Sequence, residues 1–269
     1  MQIFTPDEYK PDHYSYSQLS SYHECPFSYY LERVALDEYG ENLEMEENAF
    51  SQVGSIVHEL IDDWAKGKVK TERLAFEFED RYTFGVTCKY PTVLERNNYA
   101  DKAFAACKAY FENFDGFSDY NIIDTEFRFE TQINGRKFVG SIDMILEDKT
   151  TKELIILDHK SKSARSFKEN ADEMYKQQYL YSKAVYERFG RWPDILMFNL
   201  FKEGGELYQR KFDKPTYDEI LKWAEDTIAE IESNEEIDWM MRKENRNKDF
   251  FCKNICSARK YCFAGDRNA

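Results

Sequence analysis

Two aspartates and a lysine near the middle of the chain could hold a metal ion and act on a phosphodiester. Lys137–Leu146 and Leu154–Lys160 are largely apolar runs separated by polar turn residues, so they predict a hairpin. Because side chains alternate between the two faces of a strand, Asp158 and Lys160 point the same way, and a paired Asp143 can join them. Converging carboxylates repel unless a cation lies between them, and their hard oxygens suit Mg²⁺ or Mn²⁺. A lysine beside that cation can orient or stabilise a water that the metal activates, which favours metal-assisted hydrolysis.

The same residues could instead mark a strand that simply ends in solvent, because Asp-x-Lys is a common sequence. The uninterrupted apolar run Leu154–Leu157 argues against this alternative. A buried strand that ends abruptly in Asp158, His159 and Lys160 places charge at the edge of a core.

A histidine upstream could add a nitrogen ligand. Residues 53–64 have the apolar spacing of one helix face, and His58 falls beside that stripe. A lone histidine there is often a hydrogen-bonded structural residue, but a neutral imidazole is also a good ligand for Mn²⁺. The His159 carbonyl is a further candidate ligand. Glu126 could complete the acidic cup, although a solvated strand position explains it equally well.

Two polar residues downstream could contact a substrate strand. Residues 175–186 predict a helix, on which Gln177 and Tyr181 lie one turn apart on the same face. Both are neutral groups that can touch nucleic acid by hydrogen bonding or stacking. Ordinary helix packing explains Tyr181 equally well.

Taken in chain order, these segments resemble the motifs of RecB-like nucleases in the PD-(D/E)XK superfamily. The matching segments are Gly54–His58, Gly140–Asp143, Ile155–Lys160 and Gln177–Tyr181, preceded by a similar opening helix at Tyr14–Tyr30. The resemblance runs from about Tyr14 to Cys262. Asp158 stands where many superfamily members have glutamate, but aspartate is common there in the RecB-like branch.

The resemblance implies an α/β fold, with a mixed-sheet restriction-endonuclease-like core flanked by helices. It also implies a metal-dependent DNA exonuclease that acts on single strands or DNA ends with Mn²⁺ or Mg²⁺. The implied site residues are Asp143, Asp158 and Lys160 for catalysis, His58, Asp143, Asp158 and His159 for the divalent ion, and Gln177 and Tyr181 for DNA.

The cysteines extend the resemblance. Three lie close together in sequence, at Cys252, Cys256 and Cys262, and Cys25 before a proline is the natural fourth ligand. One N-terminal and three C-terminal cysteines are similar to the pattern of the iron–sulfur nucleases of this superfamily, the AddB-type helicase-nucleases and the CRISPR-associated single-domain exonucleases. This similarity implies a [4Fe–4S] cluster that closes a helical lobe. Zinc on the same thiolates, or four free thiols, remain alternatives.

The remaining cysteines, the apolar content and the charge of the chain further restrict its location and its partners. The remaining thiols, Cys88 and Cys107, match no ligand pattern and are interpreted as packing residues. No apolar signal segment opens the chain and no apolar run is long enough to cross a membrane, so we expect a cytoplasmic protein with no membrane partner. A net charge of −14 is unfavourable for DNA binding, because polyanions attract basic surfaces. The basic residues expected to follow the DNA are Lys162, Arg165, Lys168, Arg242, Lys243, Arg246, Lys248, Lys253, Arg259 and Lys260.

The chain of 269 residues predicts a single nuclease domain. We expect a mostly helical part at 1–115, an α/β catalytic core at 116–235 and a basic tail with the cluster cysteines at 236–269. No Walker A loop is present, so a helicase, recombinase or annealing protein would have to supply a DNA end or single strand. Recombination, repair, and viral or CRISPR DNA processing would all fit. The alternative is a catalytically inert DNA-binding or redox-responsive scaffold of the same fold.

The periodicities predict the elements that position these residues. Helices are expected at 16–36 with a break at Pro26, and at 51–66, 72–82, 93–114, 172–189 and 215–233. Strands are expected at 121–132, 136–147, 153–160, 194–201 and 206–212, with Asn134-Gly135 as a two-residue turn.

Overall fold

The structure of the chain is a computed structural model, and it describes residues 3, 5, 9–233, 241–244, 246 and 249–262. Part of the expected basic tail at 236–269, including Lys248, therefore lies outside the described residues, as do six residues of the expected N-terminal part. Among the described helices, none has the length and apolarity that a membrane span requires.

A five-stranded mixed sheet forms the centre of the fold, in the order β1-β2-β3-β4-β5. Its strands are β1 (Tyr120–Ile133), β2 (Arg136–Asp148), β3 (Leu154–Lys160), β4 (Ile195–Leu200) and β5 (Glu206–Lys211). β2 and β3 are antiparallel, β3 and β4 are parallel, and β4 and β5 are antiparallel. The predicted α/β class with a mixed sheet is confirmed, and this architecture is consistent with a restriction-endonuclease-like core.

Eleven α-helices are assigned within the described ranges. They are α1 (Tyr16–Glu24), α2 (Pro26–Arg33), α3 (Ala49–Ala65), α4 (Leu74–Gly85), α5 (Thr92–Glu95), α6 (Tyr99–Glu112), α7 (Ala164–Glu169), α8 (Ala171–Phe189), α9 (Lys214–Ser233), α10 (Phe250–Asn254) and α11 (Arg259–Cys262). Short 3₁₀ turns lie at Thr71–Arg73 and Phe201–Glu203.

Apolar sequence explains why the central strands lie where they do. Leu154–Leu157 on β3 and all six residues of β4 are buried, as a strand covered on both faces requires. A parallel pair needs a crossover connection, and α8 is the main helix of the crossover between β3 and β4. The apolar stripe of α3 packs into the same core, through Val53, Ile56, Val57, Leu60 and Ile61.

One predicted helix is divided in two. The periodicity predicted a helix over 93–114, whereas the structure has α5 and α6 with Asn98 between them. Asn98 has a φ of 52°, in the left-handed region that ends regular helix and that asparagine tolerates better than most residues. The short helices α7, α10 and α11 were not predicted, because four to six residues contain too little of a helical period to be recognised.

The chain forms two compact units. The first contains the chain up to Asn48, the hairpin tip Gln132–Phe138 and the chain from Leu221 onward. Within it, the backbone N–H of Tyr14 donates to the Lys137 carbonyl at 2.8 Å. The second unit contains Ala49–Thr131 and Val139–Ile220, and it includes every residue predicted for the catalytic site.

Candidate active site

Asp143 and Asp158 lie beside each other on the neighbouring strands β2 and β3. Met144 on β2 pairs with Leu157 on β3, and the two aspartates are the next residues along each strand. Asp143 accepts a hydrogen bond from the backbone N–H of His159 through Oδ2 at 2.8 Å. The β2–β3 pairing thus brings the predicted aspartates to one region, as the alternation of side chains indicated.

Three potential metal ligands converge there. One ligand atom each from His58, Glu126 and Asp143 lies within 4.8 Å of the others. This is the one such group of three or more histidine, cysteine or acidic residues within the part of the chain that the structure describes. The sequence left Glu126 open between a site residue and a solvated one, and the structure brings it into contact distance of the site.

A kink in β1 brings Glu126 there. Residues 121 and 123 are exposed at the start of β1, whereas 129, 131 and 133 are buried at its end, so the alternation changes phase around Glu126. Glu126 itself has a φ of 48°, a left-handed conformation that costs a non-glycine residue on the order of 1 kcal/mol. Ser141 on β2 donates to Glu126 Oε2 at 3.3 Å. No pattern in the sequence reports this kink, so sequence reasoning could not place Glu126.

The backbone of His159 orients the His58 ring. His58 Nε2 donates to the His159 carbonyl at 3.0 Å, so Nδ1 is the ring nitrogen that faces Asp143 Oδ2, at 3.4 Å. One lone pair of the predicted ligand carbonyl of His159 is therefore used by His58. The remaining lone pair is the one that a cation could share.

The His159 ring is fixed by a buried polar chain that the sequence did not reveal. Asn199 Nδ2 lies 2.9 Å from His159 Nδ1 and donates to the Tyr110 hydroxyl at 2.8 Å. All three residues are buried. Burial lowers the pKa of His159 to about 3, so this ring stays neutral. The ring contact with Asn199 thus helps to fix the His159 backbone, whose N–H and carbonyl bind Asp143 and His58.

Lys160 is held by two of the predicted residues. Its Nζ lies 2.8 Å from Asp158 Oδ2 and donates to Gln177 Oε1 at 3.3 Å. Asp158 does not belong to the compact group around Glu126. The lysine, Asp158 and Gln177 instead form a second polar group of the site.

Tyr181 is 8% exposed and packs mainly inside the protein. Its ring makes an edge contact with Phe129, with the ring centroids 4.9 Å apart. Gly140 permits this contact, because a Cβ at that position would lie 2.6 Å from the Phe129 ring and 2.8 Å from the Tyr181 ring. The glycine of the Gly140–Asp143 motif therefore makes room for the tyrosine of the Gln177–Tyr181 motif.

The charged groups of the site lie close together and are largely shielded from water. Burial disfavours charged His58, but Asp143 and Asp158 outweigh it and raise the His58 pKa to about 9. Burial raises the pKa of Asp158 to about 6, with Lys160 opposing the shift. Burial would also raise the pKa of Asp143, but the charge and hydrogen bond of His58 and the charge of Lys160 hold it well below its usual range. Without a divalent ion, a proton on His58 thus balances the Asp143 carboxylate.

The donors suit a divalent ion. One imidazole nitrogen and two carboxylates form a hard, mixed nitrogen and oxygen set that fits Mn²⁺ or Mg²⁺. The three residues line an open groove of about 750 Å³. The ligand atoms are therefore close enough for one ion and accessible to a large substrate.

The four predicted cluster cysteines line one cavity of about 230 Å³ in the first unit. They are Cys25 between α1 and α2, Cys252 on α10, Cys256, and Cys262 on α11. All six cysteines, which lie within the described ranges, are free thiols. No three of the described thiols come within 4.8 Å of one another. Cys107 is buried in the core of the second unit and does not line this cavity, as expected for a packing thiol.

Polar groups surround these thiols. Cys25 Sγ accepts from the backbone N–H of Lys243 at 3.3 Å, and Arg246 Nη1 donates to Cys262 Sγ at 3.6 Å. Ser28 Oγ lies 3.6 Å from Cys256 Sγ. Burial raises the pKa of the Cys252 thiol to about 11, so this thiol would need a bound cation to ionise at neutral pH.

Comparison with known proteins gives one family. The family model described as the PD-(D/E)XK nuclease superfamily matches residues 13–263. Among solved structures, the chain is similar to a "Putative exonuclease" from Eubacterium rectale, with 14% sequence identity and a TM-score of 0.47, over 97% of this chain and 93% of that chain. No curated protein sequence matches.

Proposed function

The chain belongs to the PD-(D/E)XK nuclease superfamily, and from that premise we propose that it is a divalent-metal-dependent deoxyribonuclease acting as an exonuclease on single strands or DNA ends. The observation that carries this proposal is the compact group of His58, Glu126 and Asp143 beside the Asp158–Lys160 pair. An inert scaffold would have no need of a partly buried lysine next to converging carboxylates, since removing such charges from water is costly.

The predicted metal ligands His58, Asp143, Asp158 and the His159 carbonyl, together with Glu126, would hold one or two Mn²⁺ or Mg²⁺ ions. When bound, such an ion supplies Lewis acidity, which lowers the pKa of a coordinated water and stabilises charge on the phosphate. His58 contributes Nδ1, because Nε2 is used by the His159 carbonyl.

Lys160 would stabilise negative charge on the reacting phosphate or position the attacking water. Asp158 and Gln177 hold its ammonium group in place, so little side-chain reorganisation is needed. Gln177 holds the lysine through its amide oxygen and also hydrogen-bonds the Tyr181 side chain, which fixes it beside the path that we propose for the DNA strand. Tyr181 would support Gln177 and Lys160. Because only 8% of Tyr181 is exposed, it would have little direct contact with DNA.

We also propose that Cys25, Cys252, Cys256 and Cys262 bind a [4Fe–4S] cluster, as in the AddB-type and CRISPR-associated nucleases that the motifs resemble. Four thiolates are the ligand number that such a cluster requires. A single zinc ion with Zn–S bonds of about 2.3 Å would need its thiolates about 3.8 Å apart. No three of the described thiols lie within 4.8 Å of one another, so the thiols do not show the close spacing that a single zinc ion needs.

The motif resemblance also supports proposals for the location, the partners and the cellular processes of the protein. The whole chain, 1–269, would work as one nuclease domain in the cytoplasm. A helicase, recombinase or annealing protein would deliver the DNA end or single strand. Recombination, repair, and viral or CRISPR DNA processing are the processes in which such an activity is used.

End-labelled linear DNA and covalently closed circular DNA of the same sequence test the proposed activity. Each is prepared as single and double strands and incubated with Mn²⁺, Mg²⁺ or chelator. An exonuclease degrades linear DNA, spares circles and stops with chelator. Cleavage of circles at the same rate would contradict the exonuclease mode. No cleavage with either metal, in protein that carries its cluster, would contradict the proposed function.

A further inference from the structure

We propose that the groove beside His58, Glu126 and Asp143 binds the sugar–phosphate backbone of the substrate, with Arg128 as a phosphate ligand and Gly54 as the gap that the backbone fills. This inference rests on the proposed nuclease function. It adds two residues that belong to none of the predicted site positions, and it states which part of the nucleic acid they contact.

The groove has two walls that meet at the metal ligands. One wall is a single face of α3 and the turn that follows it, where Gly54, His58 and Asp62 on the helix and Lys66 just after it follow one another at intervals of four residues. The opposite wall contains Glu126 and Arg128 from β1, with Asp143 from β2. A strand lying along the α3 face would therefore pass directly over the ligand atoms of His58, Glu126 and Asp143.

Arg128 is the available cation of this groove. The other basic residue in the lining, Lys66, is paired with Asp62 at 2.8 Å. The Arg128 side chain is exposed and makes no hydrogen bond, ion pair or ring contact with any residue in the described part of the chain. Its guanidinium can bind two phosphate oxygens at once, which makes arginine the preferred ligand for a phosphodiester.

The charge of the lining makes this arginine necessary. Glu59, Asp62, Glu126 and Asp143 all line the groove, in a chain whose net charge is −14. A phosphate backbone would be repelled by those carboxylates. The divalent ion offsets part of the repulsion at the site, and Arg128 offsets it on the wall of β1.

Gly54 has no packing reason to be glycine. It lies inside α3, where glycine is the least favourable residue apart from proline. A Cβ added at Gly54 would meet no atom within 4 Å, so alanine would fit the protein itself. By contrast, a Cβ at Gly140 would collide with two rings. The free space at Gly54 opens into the groove one helical turn before His58, so we attribute the missing side chain to what enters the groove.

Four variants test the inference against the unmodified full chain with its metals. Arg128→Ala removes the phosphate ligand, and Arg96→Ala is its matched control. The Arg96 side chain is also exposed, in the second unit, has no partner among the described residues and lies outside the groove. Gly54→Ala and Gly54→Leu fill the gap in two steps. DNA binding is measured by fluorescence anisotropy of a labelled single strand over a range of salt concentrations, with chelator and with Ca²⁺. Mn²⁺ binding is measured by calorimetry without DNA.

We expect Arg128→Ala to weaken DNA binding by about tenfold or more, as loss of a charged hydrogen bond does. The salt dependence of log K should become shallower by about 0.7, the value for one phosphate contact on a single strand. Gly54→Ala should raise the melting temperature and weaken DNA binding, and Gly54→Leu should weaken it further. Mn²⁺ binding should remain in all four variants, and Arg96→Ala should match the unmodified chain in every measurement.

Wild-type DNA affinity and salt dependence in Arg128→Ala, or wild-type DNA binding in Gly54→Leu, would overturn the inference. Loss of Mn²⁺ binding in Arg128→Ala would also overturn it, because the arginine would then support the metal ligands. Failure of the proposed function looks different, since the unmodified chain would then not cleave DNA with either metal.

Discussion

At the residue scale, the backbone of His159 connects the groups that we propose for catalysis. Its N–H donates to Asp143, and its carbonyl accepts from His58. Its ring is fixed by the buried amide of Asn199. Main-chain atoms of β3 therefore hold both proposed metal ligands, His58 and Asp143. Because the hydrogen bonds of the sheet fix those main-chain atoms, the two ligands should keep their geometry when neighbouring side chains change.

Neutralising Asp158 or Lys160 should remove cleavage and preserve the fold. Asp158→Asn keeps the shape of the side chain, and we expect turnover to fall by at least about 100-fold, a size typical of lost charge stabilisation. Lys160→Met should lose turnover similarly while still binding Mn²⁺. Asp158→Ala should unfold at lower urea than Asp158→Asn, because it leaves the Lys160 ammonium partly buried without any polar partner on β3. Wild-type turnover in either isosteric variant would remove these residues from the mechanism.

Removing the charge of Glu126 should weaken metal binding. Glu126→Gln keeps the volume of the side chain but loses a carboxylate from the group shared with His58 and Asp143. We expect at least a tenfold loss of Mn²⁺ affinity by calorimetry, in the range seen for altered metal sites. Glu206→Gln on β5 is the control, because Glu206 is exposed and lies outside the groove. Equal Mn²⁺ affinity in both variants would return Glu126 to a solvated surface role.

Metal binding should release a proton from His58. The folded, metal-free His58 has a pKa raised to about 9, and a metal ion binds only the neutral imidazole. Below pH 9 the ion must therefore displace a proton, so Mg²⁺ affinity should rise about tenfold per pH unit from pH 7 to 9 and then level off. Calorimetry in buffers with different ionisation enthalpies counts the protons released. His58→Gln should flatten the pH dependence, and an unchanged slope in that variant would place the titrating group elsewhere.

At the element scale, the sequence predicted the strands and long helices because each has several repeats of one period. The Asp143 and Asp158 convergence followed from alternation along β2 and β3. Glu126 could not be placed, since its position depends on a single left-handed residue within β1. Asn199 and Tyr110 could not be found either, because they join His159 only through the packing of β4 and α6.

Two glycines in the motif segments should respond oppositely to alanine. Gly140→Ala puts a Cβ within 3 Å of two aromatic rings, so we expect a loss of about 1–3 kcal/mol in unfolding free energy from overpacking. Gly54→Ala adds a Cβ in open space within a helix, so we expect a gain of about 0.5–1 kcal/mol. Urea denaturation of both variants measures the sign of each change in unfolding free energy. Two losses of similar size would show that the space at Gly54 is needed by the fold itself.

At the scale of the whole molecule, the charge of the chain is divided unevenly. The net charge of −14 contrasts with the lining of the cysteine cavity, which includes Lys243 and Arg246. The sequence predicted this basic region and the order of the family motifs. The family match over residues 13–263 confirms the superfamily, and the cluster stays a prediction.

Removing a cluster cysteine should remove iron and lower stability. Protein purified without oxygen should be brown, with broad absorption near roughly 400 nm and about four irons per chain. Cys25→Ser, Cys252→Ser, Cys256→Ser and Cys262→Ser should each bleach it and lower its melting temperature, since the cluster closes a long loop. Cys88→Ser is the control and should keep its iron. Colourless protein with stoichiometric zinc would show that the metal is zinc.

The first unit is built from both ends of the chain, and this has a consequence for biosynthesis. Residues before Asn48 are made early, but they pack with residues after Leu221, which leave the ribosome later than those of the second unit. The second unit, whose segments lie between Ala49 and Ile220, can condense while synthesis continues. If these thiols hold the proposed cluster, Cys25 must wait for Cys252, Cys256 and Cys262, so iron loading would follow synthesis of the second unit. A ribosome that stalls before Cys252 would release a chain that contains the nuclease residues and lacks the means to finish its first unit.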